Sequence, residues 1–257
     1  MINADYHTHT KYSHGKGAIE DNVKAAALIG LKGIAITDHG FAHKKFGISD
    51  KKLPLMRGEI ESLKQKYKLD IYLGVEANLI SLEGGVDLKT EKFEKLDVFL
   101  MGCHKYIIFE SLKDAYNLLI KNYFTSVFRI KPPKSIIKAN TSAYIKAIEK
   151  YPLDVITHLN YEANVDICEV AKAARDYGTY IEISAKKGHL TPVQINKIAD
   201  IGAEFIINSD AHSPSRVGDF ELAVNLLRLS GVSASRVCNA ECRSPRFRFA
   251  EYKLKNL

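Results

Sequence analysis

The chain predicts an α/β fold, a parallel β/α barrel whose functional site lies at the C-terminal ends of the strands. Three observations carry this. Short Ile-, Val- and Leu-rich runs alternate with segments of helical period along the whole chain, as repeated strand–helix units require. Seven such runs occur. Six of them end in a side chain able to bind a metal, and a closed parallel barrel gathers its strand ends on one face. A length of 257 residues suits one barrel of this kind. No internal repeat, low-complexity tract or domain linker divides it, so residues 1–257 read as a single domain.

The first strand is expected at about Ile2 to His7, within Asp5-Tyr6-His7-Thr8-His9-Thr10. Residues two apart on a strand point the same way, so His7 and His9 present two imidazoles together, half of a metal site. His14 follows closely. A helix from about Ile19 to Leu31 carries Ile19, Val23, Ala26 or Ala27, and Leu31 on one face. Gly33 breaks it, and Ile34 to Thr37 form the second strand, ending at Asp38-His39-Gly40. A polar loop, Phe41 to Lys52, leads to a helix started by Pro54. Leu55, Ile60, Leu63 and Tyr67 give that helix its stripe.

Ile71 to Val75 make the third strand, ending at Glu76, and Gly84-Gly85 marks a turn of a side hairpin. Val98 to Gly102 make the fourth, ending at Cys103-His104. Residues 107–144 read as a helical insertion, with helices near Leu112–Tyr123 and Ser142–Lys150 around a flexible middle holding Pro132-Pro133. It is either a lid over the site or a plain surface insertion. Asp154 to Thr157 form the fifth strand, ending at His158. A helix at about Val165 to Tyr177 precedes the sixth strand, Thr179 to Ile183. Pro192 starts a helix through Ala199. Glu204 to Asn208 are the seventh strand, ending at Ser209-Asp210-Ala211-His212. A last helix covers Phe220 to Leu229, and Val237-Cys238 offer a short closing strand.

Hydrophobic residues at 46% and charged residues at 26% fit a globular protein with a full core. A net charge of +7 allows a phosphorylated or polyanionic partner without requiring one. Part of the excess, Arg236, Arg243, Arg246, Arg248, Lys253 and Lys255, reads as a solvated basic tail. Cys103, Cys168, Cys238 and Cys242 have no zinc-knuckle spacing, so reduced thiols in a cytoplasmic protein are expected. No apolar run approaches the roughly 20 residues of a membrane span, and no membrane partner is expected.

The converging ligand set is His7, His9, His39, Glu76, His104, His158, Asp210 and His212, with His14 in a neighbouring loop. Nitrogen-rich with a few carboxylates, it suits zinc, manganese or iron. It exceeds what one tetrahedral ion needs and is enough for two or three, with a bridging carboxylate. Paired ions are the usual device for transferring phosphoryl groups to water.

Asp5-Tyr6-His7-Thr8-His9-Thr10, Thr37-Asp38-His39-Gly40, Gly74-Val75-Glu76-Ala77-Asn78, Gly102-Cys103-His104, Thr157-His158 and Ser209-Asp210-Ala211-His212 resemble the motifs of the PHP family, named for polymerase and histidinol phosphatase domains. Glu-Ala-Asn after the third strand most resembles the small stand-alone bacterial PHP phosphatases. The resemblance implies a distorted (β/α)7 barrel with a trinuclear centre. One ion would take His7, His9, Glu76 and Asp210. A second would take Glu76, His104 and His158. A third would take His14, His39 and His212. A hydroxide generated on the pair bridged by Glu76 would attack phosphorus.

Other residues leave alternatives open. Asp38 either orients an imidazole or caps a loop. Glu182 either partners a ligand or is an ordinary buried carboxylate. Arg216 either clamps phosphate in a fork or lies on the surface. Lys105, Lys186 and Lys187 follow strand ends and could attract phosphate. His43 and His189 are assigned to the surface, with His43 the better placed for substrate.

The expected function is hydrolysis of a small phosphomonoester by two to three divalent ions (Zn, Mn or Fe), with Glu76, Asp210 and Arg216 catalytic. Three alternatives compete. An amidohydrolase would need a bridging lysine after the fourth strand, where His104 stands. A nuclease or phosphodiesterase on nucleic-acid ends is compatible with the charge, but the late arginines lack an aromatic platform. A non-catalytic metal-binding module has no need of so full a ligand set. Substrate identity and oligomeric state are not legible.

Overall fold

The computed structural model describes residues 1–257. Seven parallel strands stand in chain order: β1 (Ala4–Thr8), β2 (Gly33–Ile36), β3 (Asp70–Asn78), β4 (Val98–Gly102), β5 (Val155–Ile156), β6 (Tyr180–Ser184) and β7 (Phe205–Asn208). The helices are α1 (Ile19–Leu28), α2 (Lys52–Lys66), α3 (Leu112–Asp114), α4 (Lys121–Val127), α5 (Lys134–Lys150), α6 (Ile167–Tyr177), α7 (Pro192–Ile201), α8 (Glu221–Ser230) and α9 (Arg248–Asn256). A π-helical turn, Ala115–Ile120, joins α3 to α4 without a break. No helix is long and apolar enough to cross a membrane.

The strands bend into a nearly closed barrel. Thr8 bridges to Ala211, and the His9 N–H donates to the Ala211 carbonyl at 2.8 Å. Lower down, the Asn239 amide spans the seam. It donates to the carbonyls of Ala4 (2.9 Å) and Ile207 (2.7 Å) and accepts from the Ile207 N–H. The expected closing strand is reduced to one bridge, Val237 to Phe205.

Alternation along the strands divides the core in two. Outward residues such as Ile34, Leu73, Phe99, Ile181 and Ile207 pack under the helices. Inward residues Tyr6, Ala35, Val98, Leu100, Val155, Tyr180 and Ile206 plug the barrel's lower half, with Tyr72 beside them and Phe247 below. A side chain on this inward phase one layer higher therefore faces into the barrel above an apolar floor. Such positions include Glu76, Glu182 and Asn208.

β1 departs from simple alternation. Asp5 pairs with Ile34 and Thr8 with Ile36, so β1 holds one more residue than β2 over this stretch, a β-bulge. The extra residue changes the phase. Tyr6 faces the apolar floor, yet His7 also faces inward, to Glu182.

Two expectations are corrected. The flexible middle of residues 107–144 is short, because α5 begins at Lys134, where Pro133 fits the edge of a helix N-terminus. The late basic residues are only in part a solvated tail, Arg246 and Lys255 being exposed. Arg243 pairs with Glu204 at 2.8 Å, Arg248 donates to the Ile148 carbonyl at 2.7 Å, and α9 buries Phe249 completely. The Phe99 and Phe249 N–H groups both donate to the Asp154 carboxylate at 2.8 Å, tying α9 to β4.

Candidate metal centre

All nine expected ligands meet at the C-terminal end of the barrel. Six are buried, His7, His9, His39, Glu76, His158 and Asp210, and His104 is nearly so, its side chain 10% exposed. His14 and His212 form the open side. Two of the ligands leave their strands in strained backbone, His158 at φ 29° and Asp210 at φ 49°. Non-glycine residues seldom adopt this region, and surrounding structure must hold them there.

The first group is tight. His7 Nε2 lies 3.1 Å from His9 Nε2 and 3.3 Å from Glu76 Oε1. His9 Nε2 lies 3.5 Å from Glu76 Oε2 and 3.3 Å from Asp210 Oδ1, and His7 Nε2 is 3.8 Å from the same oxygen. Zinc bonds of about 2.0–2.2 Å place tetrahedral donors roughly 3.3–3.6 Å apart, so these four side chains fit one ion. Glu76 Oε1 also lies 2.8 Å from His158 Nε2 and 3.2 Å from His104 Nε2. At the open side the His14 ring centroid is 4.2 Å from His212 and 4.8 Å from His39. His39 reaches both ways, since its Nδ1 is 2.9 Å from Glu76 Oε2. Its donor atom falls within 4.8 Å of partners in two clusters, one with Glu76 and His104, one with His9 and His212.

Unmatched polar atoms support a metal. His9 Nδ1 is buried without a hydrogen-bond partner, and His39 Nδ1 and Glu76 Oε2, though 2.9 Å apart, are not aligned to bond each other. Such orphans are rare and costly in a folded protein. Three carboxylates, Glu76, Glu182 and Asp210, are sunk among imidazoles, and only Lys186 approaches, at the rim. Burial pushes the Glu76 carboxyl up, but His104 and His7, with hydrogen bonds from His104 and His158, hold it well below the usual range. Burial drives His7 toward neutrality, yet Glu182, Glu76 and Asp210 raise it well above the ordinary imidazole value. The centre thus demands positive charge where the four donors of the first group converge.

Side chains behind the ligands set their orientation. Glu182 Oε1 faces His7 Nδ1 at 2.8 Å, and Glu182 Oε2 accepts the His158 N–H at 2.9 Å. The Asn208 amide donates to the same carboxylate at 3.0 Å. Because a carboxylate only accepts, Nδ1 of His7 carries the proton and Nε2 keeps its lone pair for a metal. His104 Nδ1 faces Asn78 Oδ1 at 2.8 Å, and Asn78 in turn donates to Asp87 at 2.5 Å. Thr157 donates to Glu76 Oε1 at 2.9 Å. Asp38 accepts from the N–H and hydroxyl of Thr10 at 2.7 and 2.6 Å and from Ser13. It thereby fixes the loop that carries His14, and stays 4.0 Å from His9 Nδ1.

The centre opens into a cavity of about 370 Å³, rimmed by Phe46, Lys105, Tyr106, Tyr161, Glu162 and Lys186. Lys186 Nζ lies 3.1 Å from Asp210 and 3.0 Å from His212 Nδ1, so it is the cation at the mouth. Lys105 is paired with Glu162 at 2.9 Å. Lys187 lies over the Tyr161 ring, 5.3 Å from its centroid. Arg216 is elsewhere. It sits in a short 3-10 turn, exposed and paired with Asp219, and does not line the cavity. The Ser213–Val217 turn directs it away from the mouth, so no phosphate fork forms there.

His43 and His189 are not surface residues. His43 is buried and stacks 5.1 Å from His39. His189 is half-buried, 4.6 Å from Tyr161 and 5.7 Å from His158. Long loops fold back over the barrel mouth at both places, which local polarity does not reveal. Asn78 belongs to the motif after the third strand, and its place two residues past Glu76, on the same face, is what lets it partner His104. Asp87 carried no local signal.

Comparison with known proteins agrees with this geometry. The PHP domain model matches residues 5–186. A protein of Thermoanaerobacter sp. (strain X514) described as a "probable phosphatase" is 31% identical over 252 residues, covering 92% of this chain and 90% of its own. A protein of Shewanella sp. (strain ANA-3) with the same description is 28% identical over 256 residues, covering 94% and 87%. The structure resembles that of histidinol phosphate phosphatase from Lactococcus lactis, crystallised with zinc, L-histidinol and phosphate, with a TM-score of 0.59 at 16% identity over 90% of this chain and 95% of that one. This chain, a seven-stranded barrel matched by the family model over most of its length, belongs to the PHP family.

Proposed function

We propose that this PHP-family protein, a metal-dependent hydrolase of phosphate esters, removes phosphate from a small phosphomonoester at a centre of two to three ions. One observation carries the reading: Glu76 lies between ligand groups, its Oε1 2.8 Å from His158 and 3.3 Å from His7. A carboxylate so placed can serve two ions. His7, His9, Glu76 and Asp210 would hold one, Glu76, His104 and His158 a second, and His14, His39 and His212 a third. Divalent ions held there would lower the pKa of a water and neutralise phosphate charge.

The chain's own residues supply the rest. Glu182 and Asn78 keep His7 and His104 turned inward with the right tautomer. Lys186 holds the non-bridging phosphate oxygens at the mouth. A water oxygen forms the new P–O bond, the bond to the alcohol oxygen breaks, and that oxygen takes a proton from solvent. The cavity of about 370 Å³ accommodates a phosphate and a compact organic group.

A panel of sugar phosphates, nucleotides, histidinol phosphate and phosphopeptides, assayed for phosphate release with manganese or zinc, tests this. Release from at least one small monoester, abolished by chelator, is expected. Metal-independent release, or cleavage of oligonucleotides in preference to every monoester, contradicts it.

A further inference from the structure

The helical run from Leu112 to Val127 wears its apolar stripe on the outside. Tyr116, Ile120, Tyr123, Phe124, Val127 and Phe128 recur at spacings of three and four, and all six are exposed. The opposite face is the attached one: Leu118, Asn122 and Thr125 are buried, and Asn122 and Asn140 exchange amide hydrogen bonds at 2.9 and 3.2 Å, locking the run to α5. Ten of the chain's 22 exposed large hydrophobic residues fall between Tyr106 and Ile130. A contiguous exposed patch of this kind marks an interaction surface.

Charge identifies the partner. From residue 115 to residue 145 the chain has five cations, Lys121, Arg129, Lys131, Lys134 and Lys138, and no Asp or Glu. Lys134 and Lys138 share a groove with Glu149, Asp166 and Glu169, which leaves Lys121, Arg129 and Lys131 beside the stripe with no acidic residue in the run. An aromatic and aliphatic stripe beside such cations is the composition of a helix lying in the plane of an anionic bilayer. A two-fold contact between copies would set this cationic run against itself. A single-stranded nucleic acid would stack on the aromatic rings but gain nothing from Ile120 and Val127. The absence of a spanning segment does not bear on a helix that lies on the surface.

We infer that the outward face of the Leu112–Val127 run docks on an anionic lipid surface. The same face reaches the metal cavity, since Lys105 at the cavity rim has its Nζ 5.7 Å from the Tyr123 ring centroid. Docking therefore places the cavity mouth near the lipid.

Co-sedimentation of the full chain with phosphatidylcholine vesicles, with and without phosphatidylserine, tests this. The expected result is binding to the phosphatidylserine vesicles, weakened by salt, and at least about tenfold weaker partition onto phosphatidylcholine alone. A folded triple variant, Ile120→Ser, Phe124→Ser, Phe128→Ser, should lose about tenfold or more of this binding while hydrolysing a soluble ester like wild type. Should that variant fail to fold, Arg129→Glu with Lys131→Glu must weaken binding instead. The inference is overturned by wild type that stays in the supernatant at low salt, or by stripe and charge variants that bind normally. A stripe-dependent dimer in sedimentation velocity without lipid, or stripe-dependent binding of single-stranded RNA, also overturns it.

Discussion

Glu182 Oε1 stands 2.8 Å from His7 Nδ1, and this contact leaves His7 Nε2 facing the other candidate ligands. The β1 bulge aims His7 inward, and Glu182 on β6 fixes its tautomer. Glu182→Gln keeps the shape but can present an amide donor to Nδ1. Metal affinity in a chelator competition should fall about 10- to 100-fold, with the fold intact by circular dichroism. Unchanged affinity would show that Glu182 is merely a buried carboxylate.

Gly102 allows β4 to approach the second group of ligands. A Cβ there would lie 2.5 Å from Thr157 Oγ1, 2.9 Å from His158 Cε1 and 3.0 Å from His104 Cε1. Relief requires all three to move, so Gly102→Ala should cost about 1–3 kcal/mol of stability and lower the number of ions bound per chain. Elemental analysis of the purified variant checks this, and full metal content would refute it.

The cavity rim distinguishes two cations. Lys186 touches Asp210 and His212, whereas Arg216 pairs with Asp219 outside the cavity. Lys186→Ala should raise KM for a phosphomonoester about tenfold, the scale of one lost charge-assisted hydrogen bond. Arg216→Ala should leave kcat and KM near wild type. Steady-state kinetics that reversed this order would return the phosphate clamp to Arg216.

Burial holds His39 at about 3 and His14 at about 4, against about 6.5 for a free imidazole. Between about pH 6.5 and about pH 4 the unfolded chain binds protons at these positions that the folded chain does not. These two residues therefore make metal-free protein less stable as pH falls through that window. His14→Asn with His39→Asn should shrink the drop in urea midpoint between about pH 7 and about pH 5. An unchanged drop would mean that neither imidazole is held neutral.

The ligands were legible because strand ends are easy to place: Glu76, His104, His158 and Asp210 each follow a compact β-branched or aliphatic run. Their convergence follows from parallel strands alone. The features not legible in sequence depend on pairing or on chain return. The β1 bulge is defined only by its register against β2. Arg216 lies four residues past His212, close enough in sequence to suggest contact, but the turn at Pro214 carries it outward. His43 and His189 are drawn in by loops whose paths local composition does not encode. α9 carries no clear apolar stripe in the sequence, and the pocket for its Phe249 and Tyr252 is formed by Phe93 and Phe99 from elsewhere in the chain.

On the proposed function, Glu76 joins two ions into a phosphohydrolase centre. Metal content per chain and hydrolysis of p-nitrophenyl phosphate, measured together for wild type and Glu76→Gln, test it most directly. Wild type should hold two to three ions, and the variant should lose at least one together with about a thousandfold or more of its activity, the scale of removing a transition-state charge interaction. A Glu76→Gln protein that hydrolyses the ester at the wild-type rate would contradict the account.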